Sequence, residues 1–191
     1  NDEAYTNEIL TGDIHTANQL ASGVDTRSQA KTFIYAFLYG AGDAKIGSIV
    51  GGTARDGRRL KEKFLSNTPS LRSLRERVGV SASRGYVFGL DRRRVYVRSE
   101  HSALNTLLQS AGAIVMKKAL CLLDEYASAW NIDYKFIGNI HDEIQTEVRE
   151  DEADVFGRLA VSCIEAAGTY YKLNCPLAGE YQVGDNWSET H

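Results

Sequence analysis

The sequence predicts an α+β fold, with helices that precede and flank a small antiparallel sheet. Three observations carry this. The stretches at 24–40 and 101–130 repeat their apolar residues at helical spacing. "RGYVFGLDRRRVYVRS" (84–99) holds two short strand-like runs around Leu90-Asp91, a hairpin pattern. "YKFIGNIHDEIQTEV" (134–148) reads as strand, tight turn, strand. Helices and strands that segregate along the chain give α+β rather than an alternating parallel layout.

The elements follow in order. "EILTGDIHTANQLASG" predicts a helix over 13–21, closed by Gly23. "VDTRSQAKTFIYAFLYG" predicts a stronger one. Thr26 and Gln29 form a capping box, in which each side chain satisfies a backbone donor the helix leaves unpaired. Gly40 and Gly42 are expected to stop it. Short helices are expected at about 43–50 and 57–66. Thr68 is expected to cap the next, with Pro69 at its first position, where a missing donor costs nothing. "HSALNTLLQSAGAIVMKKALCLLDEYASAW" predicts a helix of roughly seven turns. "EDEADVFGRLAVSCIEAAGTYY" predicts an amphipathic helix whose acidic first turn suits the helix dipole. The tail to "GDNWSETH" reads as irregular.

Of the 191 residues, 43% are hydrophobic and 25% charged, so a sizeable core can be buried in one domain or in two lobes. No apolar run approaches the ~20 residues of a membrane span, so no membrane partner is expected. No signal peptide is read at the start. Cys121, Cys163 and Cys175 are an odd number at wide spacing, which fits a reduced, intracellular protein better than a disulfide framework or zinc site. The net charge of −3 is not that of a simple phosphate binder. Yet cations cluster at Arg55, Arg58, Arg59, Lys61 and Lys63, and again at Arg92, Arg93, Arg94 and Arg98. A neutral total of this kind hides local basic ground.

Arg27, Lys31, Tyr35 and Tyr39 stand at a strict spacing of four. Each step advances about 400° on a helix, so the four make one gently winding stripe ~18 Å long. Its cations lie at the N-terminal end, where backbone N–H groups also favour an anion. Its rings lie further along, and a nucleotide has the same polarity of phosphates and base. Ile34, Phe37, Leu38 and Ala41 are left to pack inward. On spacing alone, such a stripe is usually a solvated amphipathic face with snorkelling heads. The glycines after Tyr39 let a base or backbone approach closely.

On the long helix, Asn105, Gln109, Gly112 and Met116 share a face, with Leu104, Leu107, Leu108, Ala111 and Val115 on adjoining faces. Amides there could test minor-groove acceptors, which sit alike in every base pair. Ordinary hydrogen-bonded amides are the alternative. His141, Asp142 and Glu143 fall at the junction of two strand runs. Hard oxygen ligands suit Mg²⁺, which takes one or two carboxylates and substrate phosphates. A solvated turn is the alternative, set against flanks that make a part-buried hairpin. One carboxylate pair does not complete a two-metal site. Asp91 precedes three arginines, and Asp124 and Asp133 read as surface residues, so the chain is expected to be one carboxylate short.

Together these segments resemble the polymerase region of family A DNA polymerases, the DNA polymerase I superfamily, and most closely its phage replicase branch. "RSQAKTFIYAFLYG" is similar to the fingers motif, "HSALNTLLQSAGA" to the helix along the primer–template minor groove, and "IHDEI" to the palm motif with a catalytic Asp. "GDIHT" and "NWSETH" fit the phage branch as well. The resemblance implies fingers over 1–84, with a short leading palm segment, and the C-terminal half of the palm over 85–191. It implies that Arg27 and Lys31 hold the incoming dNTP with help from His15, and that Lys31 donates a proton to pyrophosphate. Tyr35 would govern dideoxynucleotide acceptance. Tyr39 would stack near the templating base and judge pair geometry with Gly40. Asn105, Gln109 and His141 would contact primer–template DNA. Asp142 would bind two Mg²⁺ ions, with Glu143 close by.

Two departures stand out. His101 takes a place where many cellular relatives carry arginine. No "DxSxxE" pattern occurs, so the second catalytic Asp is expected upstream of Asn1, on an N-terminal portion with the thumb. The chain is thus expected to need that portion, in cis or as a separate polypeptide, for activity. Its expected place is the cytoplasm of a phage-infected or bacterial cell. A non-catalytic nucleotide or primer–template binding module is the alternative. A Mg²⁺-dependent nuclease is a further one, which leaves Lys31, Tyr35 and Tyr39 without a purpose.

Overall fold

A computed structural model describes residues 2–190 of the chain. The chain divides into two compact units, one built of the residues up to Phe88 with Arg94–Leu108, the other of Gly89–Arg93 with the residues from Gln109 onward. The β hairpin and the first turns of the long helix pack with the N-terminal helices, for reasons given below.

In the first unit α1 (Glu3–Thr11) and α2 (Ile14–Ser22) are capped by aspartates. Asp2 accepts from the Tyr5 N–H at 3.0 Å and Asp13 from the His15 N–H at 3.0 Å. Gly23 ends α2 in the left-handed region, at φ 76°. The helix α1 was not expected from the sequence. Then comes α3 (Arg27–Leu38), whose capping box forms as expected: the Gln29 N–H donates to Thr26 Oγ1 and the Thr26 N–H to Gln29 Oε1, each at 3.1 Å. Gly40 adopts φ 76° after it. Gly42 does not share that role; with φ −66° it is the N-cap residue of α4 (Asp43–Ser48).

The next helix, α5 (Ala54–Asn67), starts three residues before the expected 57, where the Asp56 carboxylate accepts from the Thr53 N–H at 2.9 Å and from its hydroxyl at 2.8 Å. Thr68 departs from expectation. It does stand at the N-cap position of α6 (Pro69–Ala82), but its hydroxyl donates back to the Phe64 carbonyl at 2.7 Å, so the side chain closes α5 and leaves the α6 amides uncapped. Pro69 does take the first position. The helices α4 and α5 meet backbone to backbone: a Cβ on Gly57 would collide with the Asp43 carbonyl, and one on Gly47 with that of Thr53.

Phe33, Phe37 and Phe64 centre the core here. Phe64 meets the other two rings edge-on, with centroids 5.2 and 5.3 Å away. Ile34, Ile46, Leu60 and Leu104 close around them. A second cluster joins Val78 of α6 to Val87 of β1 (Tyr86–Phe88), Val95 of β2 (Arg94–Tyr96), and Ala103 at the start of α7 (Ala103–Ala129). Apolar side chains on one face of the hairpin thus tie it to α6. That is why the compact unit extends past residue 84.

In the second unit, β3 (Tyr134–Ile140) pairs antiparallel with β4 (Glu143–Val148), with an irregularity between Phe136 and Gly138. This hairpin packs on α7 and α8 (Ala153–Tyr170) through Leu123, Ala127, Ile132, Phe156, Leu159 and Cys163. The expected acidic first turn, 150–152, forms a 3₁₀ lead-in instead of the helix itself. The tail is largely irregular but anchored: Gly157 leaves room for the Tyr181 ring and Gly168 for Leu177. It closes with α9 (Trp187–Thr190), which was not expected from the sequence.

By length and composition, the segment Glu100–Ala129 is long and apolar enough to cross a membrane, which corrects the expectation that no run comes close. Its apolar residues have other uses. Ala103, Leu104, Val115, Ala119, Leu123 and Ala127 serve all four apolar clusters.

Candidate functional site

The stripe on α3 is exposed along its whole length. Arg27 and Lys31 lie on the surface, and Tyr35 and Tyr39 are 50% and 58% exposed. The other side of the helix carries Ala30, Phe33, Ile34 and Phe37, all buried. Burial of that side fixes the helix's rotation and aims the stripe outward. Tyr39 is the C-cap residue. Gly40 follows beside the His101 carbonyl, 2.7 Å from where a Cβ would stand, so any side chain there is excluded on space as well as φ.

The two cations differ in state. Arg27 forks onto Asp13, with Nε 2.7 Å from Oδ2 and the second contact, to Oδ1, at 3.1 Å. Asp13 also accepts from the His15 N–H and, at 2.9 Å, from the Thr16 hydroxyl. The Arg27 guanidinium, then Thr16 and the His15 amide, hold its carboxyl far below the usual carboxylate range, and Asp13 in turn raises Arg27. Lys31, one turn on, has no hydrogen-bond or ion-pair partner among the described residues. His15 is half-buried, and its buried Nδ1 has no partner among them either. Asp13 escaped the sequence reading, although it stands inside the quoted "GDIHT".

On α7, Asn105 is half-buried while Gln109 and Gly112 are exposed. Met116 turns into the core at 8% exposure, so the expected shared face ends at Gly112. The narrow polar strip that is left holds Asn105, Gln109 and the bare backbone at Gly112.

The acidic turn sits at the tip of the β3–β4 hairpin. Ile140 pairs with Glu143, so the loop is only His141 and Asp142. Two-residue hairpins need a positive φ, and His141 supplies it at 56°. Both loop residues are exposed. Asp142 has no hydrogen bond or ion pair among the described residues. Glu143 is half-buried and tied: its Oε1 accepts from the Trp187 indole N–H at 2.8 Å and from Gln145 Nε2 at 2.5 Å. The Thr190 hydroxyl donates to Gln145 Oε1 at 3.3 Å, so α9 is fastened to this hairpin twice. Trp187 is a second residue the sequence reading missed. Among the described residues no group of three or more His, Cys, Asp or Glu side chains is placed to hold a metal. One exposed carboxylate with a second beside it still fits a Mg²⁺ that keeps waters and takes few protein ligands.

The family model described as DNA polymerase family A matches residues 3–189. The chain is 42% identical over 194 residues to a DNA-directed DNA polymerase of Escherichia phage Phieco32, covering 98% of this chain and 32% of the relative. It is 43% identical over 209 residues to that of Escherichia phage T7, covering 98% and 30%. Against DNA polymerase I of Pseudomonas aeruginosa the identity is 27% over 180 residues, covering 87% and 19%. The chain thus spans about a third or less of the length of these relatives. Among solved structures, the POL domain of Pol1 from M. smegmatis, in complex with DNA primer-template and dNTP, superposes with a TM-score of 0.74 at 21% identity, covering 87% of this chain and 33% of that one. At that identity the likeness concerns the fold.

Proposed function

We propose, for a chain that belongs to DNA polymerase family A and to its phage branch, that it supplies the fingers and the C-terminal half of the palm of a template-directed DNA polymerase. The observation that carries this is the outward stripe of α3, with two cations at the helix's N-terminal end and two rings beyond them. In this reading Arg27, Lys31 and His15 bind the triphosphate of a dNTP, and Tyr35 and Tyr39 lie along its sugar and base. Gly40, packed against the His101 carbonyl, fixes the backbone just after Tyr39. Asn105 and Gln109 donate to minor-groove acceptors of the primer–template, and His141 lies by the primer end.

The reaction is attack of a primer 3′-OH oxygen on the α-phosphorus of the dNTP. A P–O bond forms to the primer, and the bond between the α-phosphorus and its bridging oxygen breaks. The 3′-OH proton passes to water, pyrophosphate leaves with a proton donated by Lys31, and Lys31 is reprotonated from water. Asp142 would hold Mg²⁺, with Glu143 beside it; two such ions, when bound, would supply stabilisation of the charge on the attacking and leaving oxygens. With Glu143 held by Trp187 and Gln145, Asp142 is the carboxylate left at the turn. A further carboxylate is assigned to an N-terminal portion, in keeping with relatives about three times as long.

Primer extension tests the proposal. The chain alone is expected to be inactive. Joined to a polypeptide that supplies the thumb and first palm strand, it is expected to extend a primer with Mg²⁺ and to stop with Asp142→Ala. Extension that survives this substitution would refute it.

A further inference from the structure

The β1–β2 ribbon has no part in the function proposed above. Its register pairs Tyr86 with Tyr96 and Phe88 with Arg94, with Val87 and Val95 between them. Directly paired residues of an antiparallel ladder project from one face, and their neighbours from the other. Val87 and Val95 go into the core with Val78 and Ala103. The opposite face is therefore three aromatic rings and a guanidinium, and the core anchor stops them from turning inward. Phe88 is 53% exposed and Tyr96 77%. Tyr86 meets Phe88 edge-on at 5.4 Å between centroids, and the Arg94 guanidinium lies over the Tyr86 ring at 4.9 Å. The alternation continues to half-buried Val97 and exposed Arg98. Stretch 84–98 holds five arginines and one acid, Asp91, which is paired with Arg93.

We infer that this ribbon face binds an unpaired nucleic-acid strand, with bases stacked on Phe88 and Tyr96 and phosphates beside Arg94 and Arg98. Rings alone would suit any apolar partner, but the local cationic excess in a chain of net charge −3 selects a polyanion. Every base offers a π-face, so rings on a cationic track bind a strand without reading its sequence. Only an unpaired strand can splay its bases onto such rings. Given the polymerase reading the strand is unpaired template, and that identity is the one point that rests on that reading.

The test uses oligothymidylate carrying 5-iododeoxyuridine, cross-linked to the chain in metal-free buffer without nucleotide, with the linked peptides mapped. Cross-links are expected at Phe88 and Tyr96, and a duplex of equal length is expected to give none there. In fluorescence anisotropy, Phe88→Ala and Tyr96→Ala are each expected to weaken binding about tenfold. Tyr96→Phe keeps the ring and is expected to keep the affinity. Both rings are exposed, so circular dichroism should show the variants folded. Cross-links only elsewhere, for instance at Tyr35 or Tyr39, or an unchanged affinity in the double alanine variant, would overturn the inference. So would a dimer of the chain that Tyr96→Ala dissolves. With neither metal nor dNTP in the assay, its result is independent of whether Asp142→Ala stops extension.

Discussion

The N-terminal end of α3 and the tip of the β3–β4 hairpin follow one plan with opposite charge. Each carries two like-charged side chains, one tied by the protein and one untied. At α3 the tied group is Arg27, held by Asp13; Lys31 is free of partners among the described residues. At the hairpin the tied group is Glu143, held by Trp187 and Gln145; Asp142 is the untied one. A tied side chain has surrendered hydrogen-bonding capacity and rotamer freedom. An untied one keeps both for a ligand. On the proposed reading Lys31 and Asp142 are ready for a ligand as they stand, Arg27 reaches the triphosphate only by loosening its hold on Asp13, and Glu143 keeps the turn in shape.

Substitutions at these positions separate the two kinds of group. The largest effect is expected for Asp142→Ala, a loss of single-nucleotide incorporation on the order of a thousandfold in the assembled polymerase. Next come the cations. Lys31→Ala removes a charge-assisted contact and should cost about a hundredfold in kcat/KM, whereas Arg27→Ala should cost about tenfold, because its free state already spends the guanidinium on Asp13. Equal losses would erase the distinction at α3. Trp187→Phe keeps the ring's bulk but removes the donor to Glu143. A supporting shell of this kind is worth about tenfold in metal affinity, so the Mg²⁺ concentration for half-maximal activity should rise about tenfold, with the fold intact by circular dichroism.

The smallest effect is on stability. The Lys61 ammonium, 3.0 Å from Asp43, holds the Asp43 carboxyl below its ordinary value, with Arg58 adding to it. A depressed folded-state pKa gives stability that is complete above the unfolded value of about 3.9. That stability is lost as pH falls through the folded value. Thermal melts below about pH 4 should therefore separate wild type from Lys61→Met less than melts at pH 7 do.

The tied partners explain what the sequence could and could not show. The α3 stripe was legible because its members stand four apart and the helix rotation is fixed by Phe33, Ile34 and Phe37 on the other side. The Thr26–Gln29 box and Gly23 were legible for the same reason: signal and effect lie within a few residues. Asp13 meets Arg27 across 14 positions and Trp187 meets Glu143 across 44, and no periodicity spans such distances. Thr68 could have capped either neighbouring helix, since its hydroxyl sits between α5 and α6, and the choice lay in which backbone group it reached. Helix α9 has only four residues, too few for a periodic pattern, and α1 buries no residue, so it has no inward apolar stripe to read.

One measurement bears most directly on the division between tied and untied groups: single-turnover incorporation of one nucleotide, at saturating dNTP and Mg²⁺, by Asp142→Ala and Glu143→Ala side by side. The account predicts that the Asp142 variant loses at least tenfold more rate than the Glu143 variant. Equal losses, or a larger one at Glu143, would contradict it.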